Sequence, residues 1–155
     1  SIFTYKTIHS KDYAVATIKN SKVLKIVEKP KNNKNKNAVT GLYFFDQNLI
    51  KYCQIIKPSK RNELEISDVL NLYIKNQKLK NYLLGRGFTW FDAGTPKRLL
   101  RASSFIQYNE SFTGLKIACL EEIILNNKWI TRSKLRNIIK DYPNSAYKKY
   151  ITQIV

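Results

Sequence analysis

The chain has 155 residues, of which 43% are hydrophobic, and this is enough for a globular protein with a proper core. Its formal net charge of +17 comes from Lys and Arg spread along the whole chain, so charge alone does not indicate a nucleic-acid partner. No apolar run approaches the ~18 residues that span a bilayer. Cys53, Cys119 and the single histidine form no metal or disulfide pattern, so we expect a cytoplasmic protein with buried free thiols and no membrane partner.

The beginning of the chain has the composition of short β-strands. Residues 1–8, 13–19 and 22–28 are rich in Ile, Val, Tyr and Thr. Asn20-Ser21 predicts a tight turn, and therefore a hairpin, between the second and third of these strands. The sequence reads as a strand from position 1, which is Ser, and we interpret this start as a cut edge.

Strands and helices alternate after the hairpin. Lys29–Lys36 is dense in Lys and Asn and predicts a solvated loop. Ala38–Phe45 predicts a buried strand, in which Gly41 suits close approach of the backbone to a ligand. Asp46 is a candidate cap for a helix that runs to about Ile56, and Glu63 opens a second helix with an acidic first turn.

The remaining sequence changes from strands to helices. Leu79–Leu84 and Phe88–Phe91 predict two strands around a glycine-rich turn, and Thr95-Pro96 predicts a capped helix start. Further helices are expected near residues 120–126, 131–141 and 145–154. The pattern predicts an α/β fold, with a mixed sheet in residues 1–95 and a helical tail in residues 96–155.

Two short polar clusters follow apolar runs and are about sixty residues apart. Glu28-Lys29 offers an acceptor for sugar hydroxyls beside a cation for phosphate, and Asp92 suits a hard metal ion. Each residue also has a plain structural explanation. The first pair could be a surface ion pair, Asp92 a turn residue, Trp90 a core residue and Arg61 a solvated loop cation. Taken together, the two clusters indicate chemistry on a phosphorylated sugar.

The order and spacing of these residues resemble the C-terminal half of the glucose-1-phosphate thymidylyltransferases, a group of sugar-phosphate nucleotidyltransferases. The resemblance covers nearly the whole chain. The matching motifs are Val-Glu-Lys-Pro at 27–30, Ala-Val-Thr-Gly-Leu-Tyr-Phe at 38–44, Lys-Pro-Ser-x-Arg at 57–61, Glu-Leu-Glu-Ile-Ser-Asp at 63–68, Gly-Arg-Gly-Phe-x-Trp-x-Asp-x-Gly-Thr at 85–95, Ala-Ser-x-Phe-Ile at 102–106 and Gly-Leu-Lys-Ile-Ala-Cys-x-Glu-Glu-Ile at 114–123.

The resemblance implies a fold and a set of roles. The fold would be part of a Rossmann-like, three-layer nucleotidyltransferase domain, followed by a helical segment for oligomerisation or regulation. Lys29 and Arg61 would hold the sugar phosphate as catalytic residues, and Asp92 would bind catalytic Mg2+. The substrate-binding residues would be Glu28, Lys29, Val39, Gly41, Tyr43, Arg61 and Trp90.

The implied reaction is transfer of dTMP from dTTP to glucose-1-phosphate, giving dTDP-glucose, the precursor of dTDP-rhamnose for surface polysaccharide. The family's tail implies a homo-oligomer, a tetramer in the complete enzyme. Uridylyl or cytidylyl transfer at the same site stays open, as does a non-catalytic split subunit or regulatory module. A nucleic-acid binder is the weakest alternative, because no basic face with stacking aromatic residues is evident.

The departures from the family are as informative as the matches. The glycine-rich nucleotide loop, its following lysine and the second magnesium aspartate are absent from these 155 residues. Ala14 stands where the family has a sugar-contacting glycine, and Asn62 replaces a glycine before Glu63. We therefore expect this chain to be inactive alone, to need an N-terminal half, and to be marginally stable or oligomeric because apolar faces are left uncovered.

Overall fold

The computed structural model describes residues 1–31 and 36–155, which form two compact units, Ser1–Trp90 and Phe91–Val155. The first unit contains strands β1 (Ile2–Lys6), β2 (Val15–Lys19), β3 (Lys22–Val27), β4 (Asn37–Tyr43) and β5 (Asn81–Leu84), and helices α1 (Asn48–Ile55) and α2 (Ile66–Lys75). The second contains helices α3 (Pro96–Thr113), α4 (Leu120–Asn126), α5 (Arg132–Ile138) and α6 (Ala146–Ile154).

The five strands form one mixed sheet in the order β3-β2-β4-β1-β5. β1 pairs with β4 in the antiparallel direction and with β5 in the parallel direction, and β2 pairs antiparallel to both β3 and β4. The predicted α/β class, with a mixed sheet and a following helical segment, is confirmed.

The β2–β3 hairpin forms because its two turn residues accept the left-handed backbone conformation. Asn20 has φ 48° and Ser21 has φ 62°. Positive φ at both central residues is the geometry whose twist matches that of the flanking strands. The predicted Asn20-Ser21 turn is therefore confirmed.

Helix α2 packs on the sheet and closes the core of the first unit. Leu70 is fully buried with Ile26 and Val39 in one apolar cluster. The side-chain amide of Asn71 donates to the carbonyl of Ile26 (2.8 Å), and its oxygen accepts from the Ile26 N–H (3.0 Å). These two bonds fix α2 against β3, so the segment before α2 is held close to the end of that strand.

Asp46 organises the start of α1 from one residue before the cap, which is Gln47 and not Asp46 as predicted. Its carboxylate accepts from the backbone N–H of Asn48 (3.0 Å) and from the hydroxyl of Tyr73 (2.7 Å). Hydrogen bonds from Tyr73 and Asn48 lower the pKa of Asp46 below its usual range. Tyr73 also packs edge-on against Tyr52, with ring centroids 4.8 Å apart, so α1 and α2 share a second small core.

The second unit has its own core and a long, capped first helix. The Thr95 hydroxyl accepts from the Arg98 N–H at the start of α3, and Gly114 ends the helix in the left-handed conformation with φ 71°. α3 has no buried residue, whereas Leu135 and Ile151 of α5 and α6 are fully buried. Within the described residues, no helix has both the length and the hydropathy to cross a bilayer.

Three predictions from the sequence are wrong or incomplete. Phe88–Phe91 is not a strand, because the Phe88 N–H bonds back to the Gly85 carbonyl (3.2 Å) in a turn and pairs with no described strand. Cys53 is exposed on α1, and only Cys119 is the predicted buried thiol. The predicted loop Lys29–Lys36 lies partly outside the described residues.

Candidate functional site

Glu28 and Lys29 lie directly after β3, where the chain turns out of the sheet. The backbone N–H of Lys29 donates to the Tyr13 carbonyl (3.2 Å), which ties this turn to the residue before β2. Lys29 has φ 37°, a left-handed conformation that is uncommon for a lysine and costs conformational energy. The surrounding bonds therefore hold this dipeptide in a defined, unfavourable backbone geometry.

Glu28 lies among charged side chains from another part of the chain. Burial raises the pKa of its carboxyl above the ordinary value, and the nearby Glu65 carboxylate raises it further, while Lys29 and Arg61 oppose the shift. The pKa of Tyr43 is raised by burial and then by the charge of Glu28. Glu28, Tyr43 and Arg61, which are distant in sequence, are therefore close enough to interact electrostatically.

Arg61 projects from a tight loop that precedes α2. Its Nη2 lies 2.6 Å from a carboxylate oxygen of Glu63, and its Nη1 lies 3.4 Å from Oε1 of Glu65. The same Oε1 accepts a hydrogen bond from the Ser59 hydroxyl (2.8 Å). The Ser59 oxygen in turn accepts from the backbone N–H of Arg61 (3.1 Å). Both the backbone of Arg61 and the terminal nitrogens of its guanidinium group therefore have partners.

Asn62 explains one departure from the family sequence. It has φ 59°, in the left-handed region where glycine is favoured and asparagine is among the best-tolerated alternatives. Its N–H donates to the Ser59 carbonyl (2.9 Å) and closes the loop. Asparagine in place of glycine thus preserves the turn that presents Arg61.

The three candidate residues of β4 have different surroundings. Val39 is buried in the sheet core, with its N–H bonded to the Ala14 carbonyl (2.8 Å), so its side chain packs inside the protein. Tyr43 is half-buried beside the same core. Gly41 is exposed, and a Cβ added there would meet no atom of the described residues within 4 Å. Space for a side chain is therefore open at Gly41, as it also is at Gly85 and Gly87.

Trp90 and Ala14 both take part in packing within the first unit. The Trp90 ring contacts Tyr13 edge-on at a centroid distance of 4.8 Å, and Tyr5 at 5.9 Å. Tyr13 also provides the carbonyl that binds Lys29 N–H, so Trp90 supports the turn after β3. The methyl group of Ala14 is buried in the core cluster, where the protein accommodates it.

Asp92 belongs to the second unit, and its carboxylate is already engaged there. Oδ2 pairs with the Arg98 guanidinium at 2.5 Å, and Oδ1 accepts from the Gly94 N–H at 2.8 Å. A Cβ at Gly94 would lie 3.0 Å from Oδ1, so a side chain there would crowd the Asp92 carboxylate. The structure supports the turn-residue interpretation of Asp92.

A magnesium ion would need more ligands than these residues supply. Carboxylate oxygen is the right donor for this ion. In residues 1–31 and 36–155, however, no three His, Cys, Asp or Glu side chains come together as a metal site, and Asp92 is neutralised by Arg98. The described residues thus do not form a magnesium site by themselves.

Glu28 interacts electrostatically with Lys29, Arg61 and Tyr43, and Gly41 lies two residues before Tyr43 on β4. The sequence does not identify Ser59 and Glu65 as part of this cluster. The motif that contains Glu65 is visible, but its composition indicates the first turn of a helix. The helix begins at Ile66, three residues after the predicted start at Glu63, which leaves the Glu65 backbone extended and its side chain available to Arg61.

The first unit is thus a mixed sheet with helices, in which Lys29 and Arg61 lie among the carboxylates of Glu28, Glu63 and Glu65. Residues 1–109 match the family model described as Nucleotidyl transferase. The chain belongs to this nucleotidyl transferase family.

Over its whole length the chain is similar to curated enzymes of one name. The chain is 36% identical to the glucose-1-phosphate thymidylyltransferase of Neisseria meningitidis over 156 aligned positions, which are 100% of this chain and 54% of the relative. The enzyme of the same name from Neisseria gonorrhoeae is 38% identical over the same shares of the two chains. The chain spans about half the length of the curated relatives it matches.

Two solved structures align with about two thirds of this chain. A Bacillus anthracis structure assigned as glucose-1-phosphate thymidylyltransferase, in complex with a sucrose, aligns with a TM-score of 0.60 and 38% identity over 67% of this chain and 42% of that one. A UDP-glucose pyrophosphorylase complexed with UDP-glucose aligns with a TM-score of 0.61 over 70% of this chain and 44% of that chain. Its 20% identity shows a shared fold only.

Proposed function

We propose that this chain is the sugar-phosphate-binding half of a glucose-1-phosphate thymidylyltransferase. The observation that supports this most directly is that Glu28 interacts electrostatically with both Lys29 and Arg61, which come from two separate segments of the chain. Lys29 and Arg61 would bind a phosphate at one end of the ligand, although Glu63 and Glu65 also contact Arg61, and Glu28 would accept from hydroxyl groups at the other end. The similarity to enzymes of this name over the whole chain supports the same substrate class.

Each residue has a distinct role in the proposal. Arg61 and Lys29 bind the phosphate of glucose-1-phosphate, Arg61 with forked donors and Lys29 with a point charge. Glu28, as a carboxylate, accepts hydrogen bonds from the sugar hydroxyls. Gly41 lets the sugar ring approach β4, and the half-buried ring of Tyr43 borders the same space.

The proposed reaction needs alignment rather than a protein nucleophile. A phosphate oxygen of glucose-1-phosphate attacks the α-phosphorus of dTTP, a new P–O bond forms, and the bond to the bridging oxygen breaks as pyrophosphate leaves. The phosphate is already deprotonated at neutral pH, so it needs no general base. Arg61 and Lys29 hold it in line for attack and offset its charge against that of the triphosphate.

Magnesium dependence is part of the proposal for the complete enzyme. Mg2+ would offset charge on the transferring phosphoryl group. From this chain only Asp92 would contribute a ligand, and it would first have to leave Arg98. The described residues do not complete that site, so we assign no step to the metal.

We further propose that these 155 residues need a partner for turnover. The glycine-rich nucleotide loop is absent from them, and that loop would bind the triphosphate. That loop would be supplied by an N-terminal half, either joined to these residues or on a separate polypeptide, and the family's oligomer would be built with it. The product would be dTDP-glucose in the cytoplasm, the precursor of dTDP-rhamnose.

The test is pyrophosphate release from dTTP and glucose-1-phosphate in the presence of Mg2+. We would assay the chain alone and a chimera that places it behind the loop-containing part of the Neisseria gonorrhoeae relative. The proposal predicts no turnover for the chain alone, turnover for the chimera, and loss in an Arg61→Lys chimera. A folded chimera that binds dTTP but releases no pyrophosphate would contradict it.

A further inference from the structure

We propose that Glu65 and Glu63 act on Arg61 in opposite ways. Glu65 is a positioning residue that holds the guanidinium ready for phosphate, and Glu63 is an exchangeable cover that the sugar phosphate displaces. The inference rests on the proposed function, because it requires Arg61 to bind the phosphate. It assigns different roles to two carboxylates that are only two residues apart.

Glu65 is fixed in place by its surroundings. The residue is 8% exposed, and its Oε1 accepts from the Ser59 hydroxyl (2.8 Å) while it faces Nη1 of Arg61 (3.4 Å). A buried carboxylate with two donors cannot swing away without losing both of them, which is costly in a low-dielectric interior. Glu65 therefore sets the direction of the Arg61 side chain in the empty and the occupied site alike.

Ser59 links the two residues through a small hydrogen-bonded loop. Its oxygen accepts from the Arg61 backbone N–H (3.1 Å), and its own backbone N–H donates to the Glu63 carbonyl (2.8 Å). The loop thus fixes the Arg61 backbone relative to Glu65, whereas it constrains only the main chain of Glu63. The Glu63 side chain is free to leave without disturbing the loop.

Glu63 has the features of a temporary partner. Its side chain is 55% exposed, and its carboxylate lies 2.6 Å from Nη2 of Arg61. Exposed ion pairs contribute little net free energy, because water replaces the lost contact. A phosphate that takes two parallel hydrogen bonds from arginine needs this same outer nitrogen, so phosphate and Glu63 compete for one position.

The two glutamates can be compared directly, because the proposal predicts that the same substitution changes the anion affinity in opposite directions at the two positions. Each Glu→Gln substitution removes one negative charge close to Arg61 and changes the shape very little. If charge alone mattered, both substitutions would strengthen anion binding. Our proposal predicts instead that Glu63→Gln strengthens anion binding and that Glu65→Gln weakens it.

The experiment is isothermal titration of glucose-1-phosphate, and in parallel of inorganic phosphate, into the full chain and its variants. Glu63→Gln should bind glucose-1-phosphate about threefold more tightly, as expected for removal of an exposed competing ion pair. Glu65→Gln should bind about fivefold more weakly, because the guanidinium loses its charged anchor. Glu65→Asp keeps the charge but withdraws the carboxylate, and it should also weaken binding.

Circular dichroism and thermal melting of each variant confirm folding, and Glu65→Asp replaces Glu65→Gln if the latter does not fold. Tighter binding by both Gln variants, or no change in either, would overturn the inference. If the unaltered chain binds glucose-1-phosphate and Arg61→Lys binds it about tenfold more weakly, the proposed function stands whatever the two glutamates do. If neither the unaltered chain nor Glu63→Gln binds either ligand, both proposals fail.

Discussion

The guanidinium of Arg61 lies 2.6 Å from the exposed carboxylate of Glu63, so its outer nitrogen already has an anionic partner without any ligand. The buried Glu65 approaches the other terminal nitrogen of the same group. A cation that is oriented before binding loses less side-chain entropy when an anion arrives. The loop before α2 therefore orients Arg61 in the way that the proposed phosphate site requires.

Arg61→Lys should weaken glucose-1-phosphate binding by about tenfold, or ~1.4 kcal/mol, because lysine cannot offer two parallel donors to a phosphate. Isothermal titration of the full chain measures this change. Arg101→Lys, on the exposed surface of α3, is the matched control and should leave the affinity unaltered. Equal affinities for Arg61→Lys and the control would show that Arg61 does not bind the phosphate.

Glu28→Gln should stabilise the fold and weaken sugar-phosphate binding. The pKa of Glu28 is raised in the folded chain, chiefly by burial, so the folded state holds this proton more tightly than the unfolded state. The unaltered chain therefore loses stability as pH rises through the pKa of Glu28 in the unfolded state and then through its higher pKa in the folded state. The uncharged side chain of the Glu28→Gln variant avoids that loss.

Urea unfolding between pH 4 and 8 measures the difference, which should grow with pH and disappear in acid. Asp68→Asn is the control: it removes a carboxylate that favours the α2 N-terminus, so it should lower stability slightly and leave binding unchanged. A destabilised Glu28→Gln chain with normal affinity would contradict the assigned role.

Gly41→Ala should fold normally and lose affinity for glucose-1-phosphate. A Cβ at this position meets no protein atom within 4 Å, and alanine in a strand is favoured over glycine by roughly 0.5–1 kcal/mol. The new methyl group would instead occupy the space proposed for the sugar. Melting and titration of the same sample separate the two effects.

Gly114→Ala is the opposite control, because Gly114 has φ 71° and closes α3 in a conformation that alanine adopts only under strain. It should lower the stability of the second unit and spare the affinity. If Gly41→Ala retains full affinity, the sugar does not approach this part of β4.

Tyr147→Phe should lower the free energy of unfolding by about 1.5–3 kcal/mol, the range for a hydrogen bond to a charged group. The Tyr147 hydroxyl donates to Glu121 (2.5 Å), which is 9% exposed and also accepts from Tyr142 (2.8 Å). Burial pushes the pKa of Glu121 up, but the hydrogen bonds from Tyr147 and Tyr142 prevail and leave it lowered.

A lowered carboxylate pKa gives stability above the unfolded pKa that is lost as pH falls through the folded value. The unaltered chain should therefore lose more stability between pH 6 and pH 3 than Tyr147→Phe does. Tyr108→Phe, with an exposed hydroxyl on α3, is the control and should change neither quantity. Equal acid sensitivity of all three chains would contradict this account of Glu121.

Features determined by local sequence could be predicted. The Asn20-Ser21 turn, the Asp46 contact at α1 and the Thr95-Pro96 start of α3 each depend on residues within a few positions of one another. The α/β class follows from the alternation of such segments. Glu28 and Arg61 lie within short motifs, and those motifs are sufficient to mark both residues as candidates.

Features that depend on distant contacts could not be predicted. Phe88–Phe91 has the apolar composition of a strand, but a strand also needs a partner with free backbone groups, and composition does not report one. Glu65 has the sequence context of a first helical turn, and only the folded loop shows its link to Ser59 and Arg61. The ion pair between Asp92 and Arg98 is likewise visible only in the folded structure.

The central claim, a sugar-phosphate site in the first unit, is tested most directly by nuclear magnetic resonance of the 15N-labelled chain during titration with glucose-1-phosphate. We predict saturable shifts of the backbone signals of Glu28, Gly41 and Arg61, and none for residues of α6. Absence of saturable shifts, or shifts confined to the second unit, would contradict the account.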